Sequence, residues 1–122
     1  MKLRNGVDLI ETHRIAAALD RQGDAFLKRI YTAAEQQLCG GNTQSLAARF
    51  AAKEAVSKAL GTGIGAVAFT EIEILRAPSG EPLLQLHGAA AQLALQLGIT
   101  YWSISLSHTH EHAIAMVVAL VE

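Results

Sequence analysis

The stretch from Thr43 to Leu60 constrains this chain more than any other. Leu46, Ala47, Phe50, Ala51, Val56 and Ala59 recur near helical spacing, which predicts a helix over 43–60. Gly40-Gly41-Asn42 forms a turn before it. Gly61 stands after it, the residue type that commonly closes a helix C-terminus. A helix of this length must be the central element of a small protein, and the rest of the chain has to supply what packs on it.

The flanking segments supply both helices and strands. Residues 3–10 read as a short first strand. Thr12 can cap a helix running to about Gln22, with Ile15, Ala18 and Leu19 on its apolar side, and Gly23 breaks it. Residues 24–30 fit one or two further helical turns. Thr32-Ala33-Ala34-Glu35 has the form of a capping box and starts a third short helix. Residues 70–76 alternate as a strand does, and the Pro78-Ser79-Gly80-Glu81-Pro82 turn predicts that 83–87 pairs back as a hairpin. Residues 89–97 read as an Ala- and Leu-rich helix stopped by Gly98. Tyr101 to Ser107 alternates Trp102, Ile104 and Leu106 with serines, and 112–121 is continuously apolar and suits a buried strand. The expectation is one α+β domain over 1–122, with a mostly antiparallel sheet packed on the long central helix.

The 122 residues fit one domain able to bury most of its apolar surface. Cys39 is the only cysteine, which excludes an internal disulfide and favours a reducing compartment; as a residue it reads as buried or in a loop. Asp8, Glu11 and Arg14 interrupt any leader-like apolar run, and no stretch reaches the roughly 18 apolar residues of a membrane span. A soluble, cytoplasmic protein is expected. The net charge of −1 conceals an asymmetry. Residues 1–58 carry nine of the ten Lys and Arg against six acids, about +3, while residues 59–122 carry Arg76 against five acids, about −4. The basic half suits an acidic partner or phosphates and is too mild to suggest nucleic acid.

Three clusters could carry chemistry. Asp8, following Gly6 in an apolar strand, is costly unless solvated, paired or bound to a hard cation such as Mg2+. On spacing alone a pair with Arg14 or a backbone amide is the simpler reading. Glu54 and Lys58 share a helix face at i and i+4; they could hold a metal and meet a phosphate, or form an ordinary surface ion pair. Ser107-His108-Thr109-His110-Glu111-His112 carries alternate histidines that could bind zinc if they lay on one strand. The run joins two apolar strands, so a polar hairpin loop is the simpler reading. Gly61-Thr62-Gly63-Ile64-Gly65 follows a helix and precedes a strand, the wrong order for a dinucleotide-binding turn.

Taken together these segments resemble the small holo-acyl-carrier-protein synthases of the phosphopantetheinyl transferase superfamily. That family's Gly-x-Asp with a later Arg is met by Gly6, Asp8 and Arg14. Its Phe-x-x-Lys-Glu-x-x-x-Lys motif is met by Phe50, Lys53, Glu54 and Lys58. Its late Ser-His before an Ala-rich strand is met by Ser107-His108 and Ala113-Ile114-Ala115. Three motifs in register cover the whole chain and reverse the structural readings of Asp8, Glu54 and Lys58.

The resemblance implies a transfer of phosphopantetheine from coenzyme A to a serine of an apo acyl carrier protein. It implies Mg2+ held by Asp8 and Glu54, with Lys58 steadying the transferring phosphate. Arg49 and Lys53 would contact phosphates, with bracing of Glu54 the other role open to Lys53. Gly61, Gly63 and His108 would line the coenzyme A site, His108 at the nucleotide end. Homotrimers with coenzyme A between subunits are also implied, as is an acidic, helical carrier. Arg14 and Arg21 are the expected docking residues for it; Lys28 continues their seven-residue spacing only if the helix runs through Gly23.

Overall fold

The computed structural model describes all 122 residues. Strand β1 (Lys2–Glu11) leads into helices α1 (Thr12–Gln22), α2 (Asp24–Ile30), α3 (Ala33–Cys39) and α4 (Thr43–Leu60). A 3₁₀ turn (Phe69–Glu71) precedes β2 (Ile72–Arg76) and β3 (Pro82–Leu86). Helix α5 (Gly88–Gln96) and strands β4 (Ile99–His108) and β5 (His112–Val121) complete the fold.

The expected single sheet is two sheets. β1, β5 and β4 form an antiparallel sheet in the order β1-β5-β4, and β2 and β3 form a separate hairpin. β3 lies close to β4, but the two form no ladder; a cleft of about 360 Å³ separates them, lined by Leu84, Trp102 and Ile104 among others. The three-stranded sheet places β5 between β1 and β4, with Asp8 opposite Ala115 and Leu106 opposite the same alanine.

Helix α4 is more deeply buried than an apolar stripe requires. Twelve of its eighteen residues are buried, including Arg49, Lys53 and Ser57. Such burial is tolerable because its packing faces are small: Ala47, Ala51, Ala55 and Ala59 are buried at four-residue spacing, Ala55 and Ala59 lie against Gly6 of β1, and Ala113, Ala115 and Ala119 of β5 are fully buried in turn. Small residues on both sides let backbones approach closely, and the dispersion gained over that area replaces the bulk of larger side chains. Asn42 caps the helix by accepting from Ser45 N at 2.9 Å. Gly61 closes it in the left-handed region at φ 84°.

Two local expectations change in the structure. Thr12 does not cap α1: Glu11 occupies that position, and the Thr12 hydroxyl donates instead to His110 O at 2.8 Å. Pairing of β1 with β5 brings the 109–111 turn over the start of α1, where Thr12 N also donates to Glu111 O at 2.8 Å and Thr12 is already the first helical residue. β5 is not buried on both sides. Its residues alternate, Ala113, Ala115, Val117 and Ala119 facing α4 while Ile114 (40% exposed) and Met116 (52%) face outward. In this chain only one face of the sheet has a helix on it.

Candidate active site

The site begins with a glycine. Residues 4, 6, 8 and 10 of β1 alternate toward α4, and at Gly6 the two elements touch. A Cβ there would overlap the Ala55 carbonyl oxygen and crowd Ala59 N. Only glycine permits this approach. The next residue on that face, Asp8, is thereby set against the side of α4. Lys58 reaches across to it, with Nζ 3.1 Å from Asp8 Oδ1 and 2.9 Å from Val7 O.

Glu54 lies one helical turn before Lys58. The surface ion pair suggested by their spacing is not made, because Lys58 gives its hydrogen bonds to Asp8 and Val7. Glu54 is half-buried, and its carboxyl is pushed above the usual range, first by desolvation, then by the charge of Asp8, with Lys58 opposing. Two carboxylates from distant segments therefore sense each other's charge, and a single lysine only partly offsets it. Hard oxygen donors in mutual repulsion suit a divalent cation such as Mg2+, so this pair fits the ion that the resemblance implies. Asp8 is not paired with Arg14.

Lys53 requires a correction. It was expected to contact phosphates or brace Glu54 and does neither. Its ammonium is fully buried and donates to Glu35 Oε1 at 2.8 Å, Phe69 O at 2.9 Å and Ile72 O at 2.6 Å. All three protons are spent within the fold. Glu35, the capping-box residue of α3, also accepts from Thr32 N and Ile74 N. This pair ties α3, α4 and β2 together. Burial pulls the Lys53 pKa downward and Glu35 opposes that pull.

The remaining expected residues fall in two other places. Arg49 is buried, donating from Nε to Ile74 O at 3.0 Å and from Nη1 to Ser45 Oγ at 3.0 Å. It shares a cleft of about 200 Å³ with His108, Arg76 and Pro82. Three cationic or basic side chains thus border one opening, well placed for a phosphate-bearing ligand. Gly61 and Gly63 lie in the loop just beyond Lys58, both at positive φ. Arg14 and Arg21 are exposed and border a cleft of about 250 Å³ whose lining includes Ile15, Ala18, Phe26 and Phe50.

Arg29 borders this cleft too, a residue the sequence reading missed. Gly23, at φ 55°, ends α1 and reorients α2, so Arg29 takes the place that continuous spacing gave Lys28. The signal was the glycine itself: once the helix breaks, a seven-residue count no longer holds. The histidines also separate. His108 lies with Arg49, whereas His110 and His112 border a cleft of about 510 Å³ with His13, Glu11 and Glu111. No three His, Cys, Asp or Glu side chains are disposed to hold a metal together, so the zinc alternative lacks its ligand set.

Comparison with known proteins bears on this geometry. A family model described as the 4'-phosphopantetheinyl transferase superfamily matches residues 4–117. The chain is 52% identical to the holo-[acyl-carrier-protein] synthase of Herpetosiphon aurantiacus, over 97% of this chain and 98% of that one. Its fold superposes on the Helicobacter pylori holo-[acyl-carrier-protein] synthase, solved in complex with coenzyme A, with a TM-score of 0.87 at 36% identity, covering 95% of this chain and 99% of the other. The Bacillus anthracis synthase, solved in complex with CoA (3',5'-ADP), gives a TM-score of 0.80 at 37% identity, covering 98% and 96%. With fold, motif order and near full-length identity in agreement, this chain belongs to the 4'-phosphopantetheinyl transferase superfamily, among its holo-[acyl-carrier-protein] synthases.

Proposed function

We propose that Asp8, Glu54 and Lys58 form the reaction centre at which this transferase moves 4'-phosphopantetheine from coenzyme A to a serine of an apo acyl carrier protein. The observation that carries the reading is the Lys58 ammonium on Asp8 where β1 touches α4 across Gly6, with Glu54 one helical turn before Lys58 and its carboxyl raised in part by the Asp8 charge. Asp8 and Glu54 would hold Mg2+, which when bound supplies positive charge against the pyrophosphate oxygens.

The chain's own groups do the rest. Lys58 has three N–H donors and uses two on Val7 O and Asp8. Its third is free for a phosphate oxygen, and its charge is fixed where negative charge grows in the transition state. The carrier serine oxygen attacks the β-phosphorus of coenzyme A. A new O–P bond forms, the bond to the α-phosphate oxygen breaks, and adenosine 3',5'-bisphosphate leaves. The serine proton passes to Glu54 or to a water held between Glu54 and Asp8.

Arg49 and His108, with Arg76, would receive the nucleotide end of coenzyme A, Arg49 already held in position by Ile74 O and Ser45. Gly61 and Gly63 would let the backbone beyond Lys58 pass close to it. Arg14 and Arg21, now with Arg29, would dock an acidic carrier helix over the apolar floor supplied by Ile15 and Phe26.

We further propose a homotrimer with active sites between subunits. Its support is the outer face of the β1-β5-β4 sheet, where Leu3 (68% exposed), Val7 (53%), Leu9 (63%), Ile114 and Met116 lie uncovered. A contiguous apolar face of this kind marks an interaction surface. The 122 residues act as one domain built on one buried cluster, and we place the protein in the cytoplasm; no helix is long and apolar enough to cross a membrane.

The test is mass spectrometry of apo acyl carrier protein incubated with coenzyme A, Mg2+ and this protein. One phosphopantetheine should be gained with the native chain. None should be gained on the same timescale with Asp8→Ala or Glu54→Ala, both still folded. Near-native turnover in either variant at low Mg2+ refutes the assignment of the metal pair.

A further inference from the structure

Of the four residues that β1 turns toward α4, three have a place: Gly6 makes the close contact, Asp8 belongs to the site and Ile10 lies in the core. Arg4 has none so far. The end of α4 shows what it does. A helix leaves its last carbonyls without intrahelical partners. Here Ser57 O accepts from Thr62 N at 3.3 Å and Gly63 N at 3.2 Å, and Lys58 O accepts from Gly61 N at 3.0 Å. Ala59 O is reached by none of these loop amides. It accepts from Arg4 Nε at 2.6 Å. The guanidinium lies under Gly61, where an added Cβ would stand 2.9 Å from Nη2. Its charge also suits the negative end of the helix dipole.

Two clamps thus bracket Gly6: Arg4 on Ala59 O to one side, Lys58 on Val7 O and Asp8 to the other. The contact between them is smooth. Gly6 has no side chain to interlock with the alanines of α4, so shape opposes sliding of the helix along the strand only weakly. We infer that Arg4 is a positioning residue for the transfer reaction, fixing the last turn of α4 at the register where Lys58 meets Asp8 and Glu54 faces it. This rests on Asp8, Glu54 and Lys58 being the reaction centre. Arg4 touches no reacting group itself.

The test compares Arg4→Met and Arg4→Lys with the native protein, with Asp8→Ala as a control. Amide hydrogen exchange at Gly61, Thr62 and Gly63 is read without metal, and the Mg2+ concentration for half-maximal transfer is read with it. Arg4→Met should speed exchange at these amides and raise the half-saturating Mg2+, each by about fivefold, with the carrier KM unchanged. Arg4→Lys keeps a donor for Ala59 O and should recover most of both. Lower thermal stability with native Mg2+ dependence overturns the positioning role, and native exchange overturns the clamp itself. If Asp8→Ala keeps Mg2+-dependent turnover, the metal pair is what fails, and amide exchange alone then decides the clamp. Arg4→Leu, which has no donor for Ala59 O, replaces Arg4→Met should the latter not fold.

Discussion

Helix α4 carries two lysines five residues apart in one motif, and the fold puts them to opposite uses. Lys53 and Glu35 are both 0% exposed and share their hydrogen bonds with four backbone groups. Lys58 and Asp8 are 50% and 19% exposed and leave a donor free. The buried pair is costly to desolvate and is acceptable only because all three ammonium protons are donated and both carboxylate oxygens accept. A pair in that condition has nothing left to offer a substrate. The half-open pair contributes little to stability, and for the same reason can bind, exchange partners and respond to charge. Adjacent positions in a sequence motif therefore divide between building the fold and doing the chemistry.

The contrast can be broken most decisively at Lys53. Lys53→Met strands Glu35 in the core and should cost about 3–5 kcal/mol in urea unfolding. Pairing it with Glu35→Gln should return part of that loss. A cost near zero would show that the buried pair is not the scaffold it looks to be. Lys58→Met should do the reverse. Its unfolding free energy should change by less than about 1 kcal/mol, while transfer slows about a hundredfold, equivalent to about 2.7 kcal/mol.

The smallest effect sharpens the comparison from the carboxylate side. The folded-state pKa of Glu54 is raised, so its ionised form opposes folding. Stability from this group is full below its unfolded pKa and is lost as pH rises through the folded value. Glu54→Gln should therefore melt about 1–3 °C higher than the native protein at neutral pH without divalent cation. The advantage should vanish in acid. Added Mg2+ should raise the melting point of the native protein and not that of the variant. Equal melting of the two at every pH would remove the electrostatic strain attributed to the site.

Much of the fold was legible along the chain. Gly23, the Thr32–Glu35 capping box and Gly61 mark helix ends through local backbone chemistry, and each acts at its expected place. The 43–60 helix followed from spacing alone. Interactions between distant segments were less legible. Glu35 showed itself as a cap but not as the partner of a lysine 18 positions later. Thr12 looked like a cap, but the helix starts on it, and its hydroxyl and amide both donate to a turn from the far end of the chain. Arg29 was hidden by a helix break that was itself visible.

The amino-acid order alone determined which segments are helix and strand, to within a few residues at their ends, and, through the spacing of Gly6, Asp8, Phe50, Glu54 and Lys58, which family the chain resembles. It did so because capping, periodicity and glycine geometry act within a few residues. Only tertiary structure decided that Lys53 is scaffold and Lys58 is open. Those roles depend on which surfaces cover each ammonium, and burial is set by elements the motif does not contain.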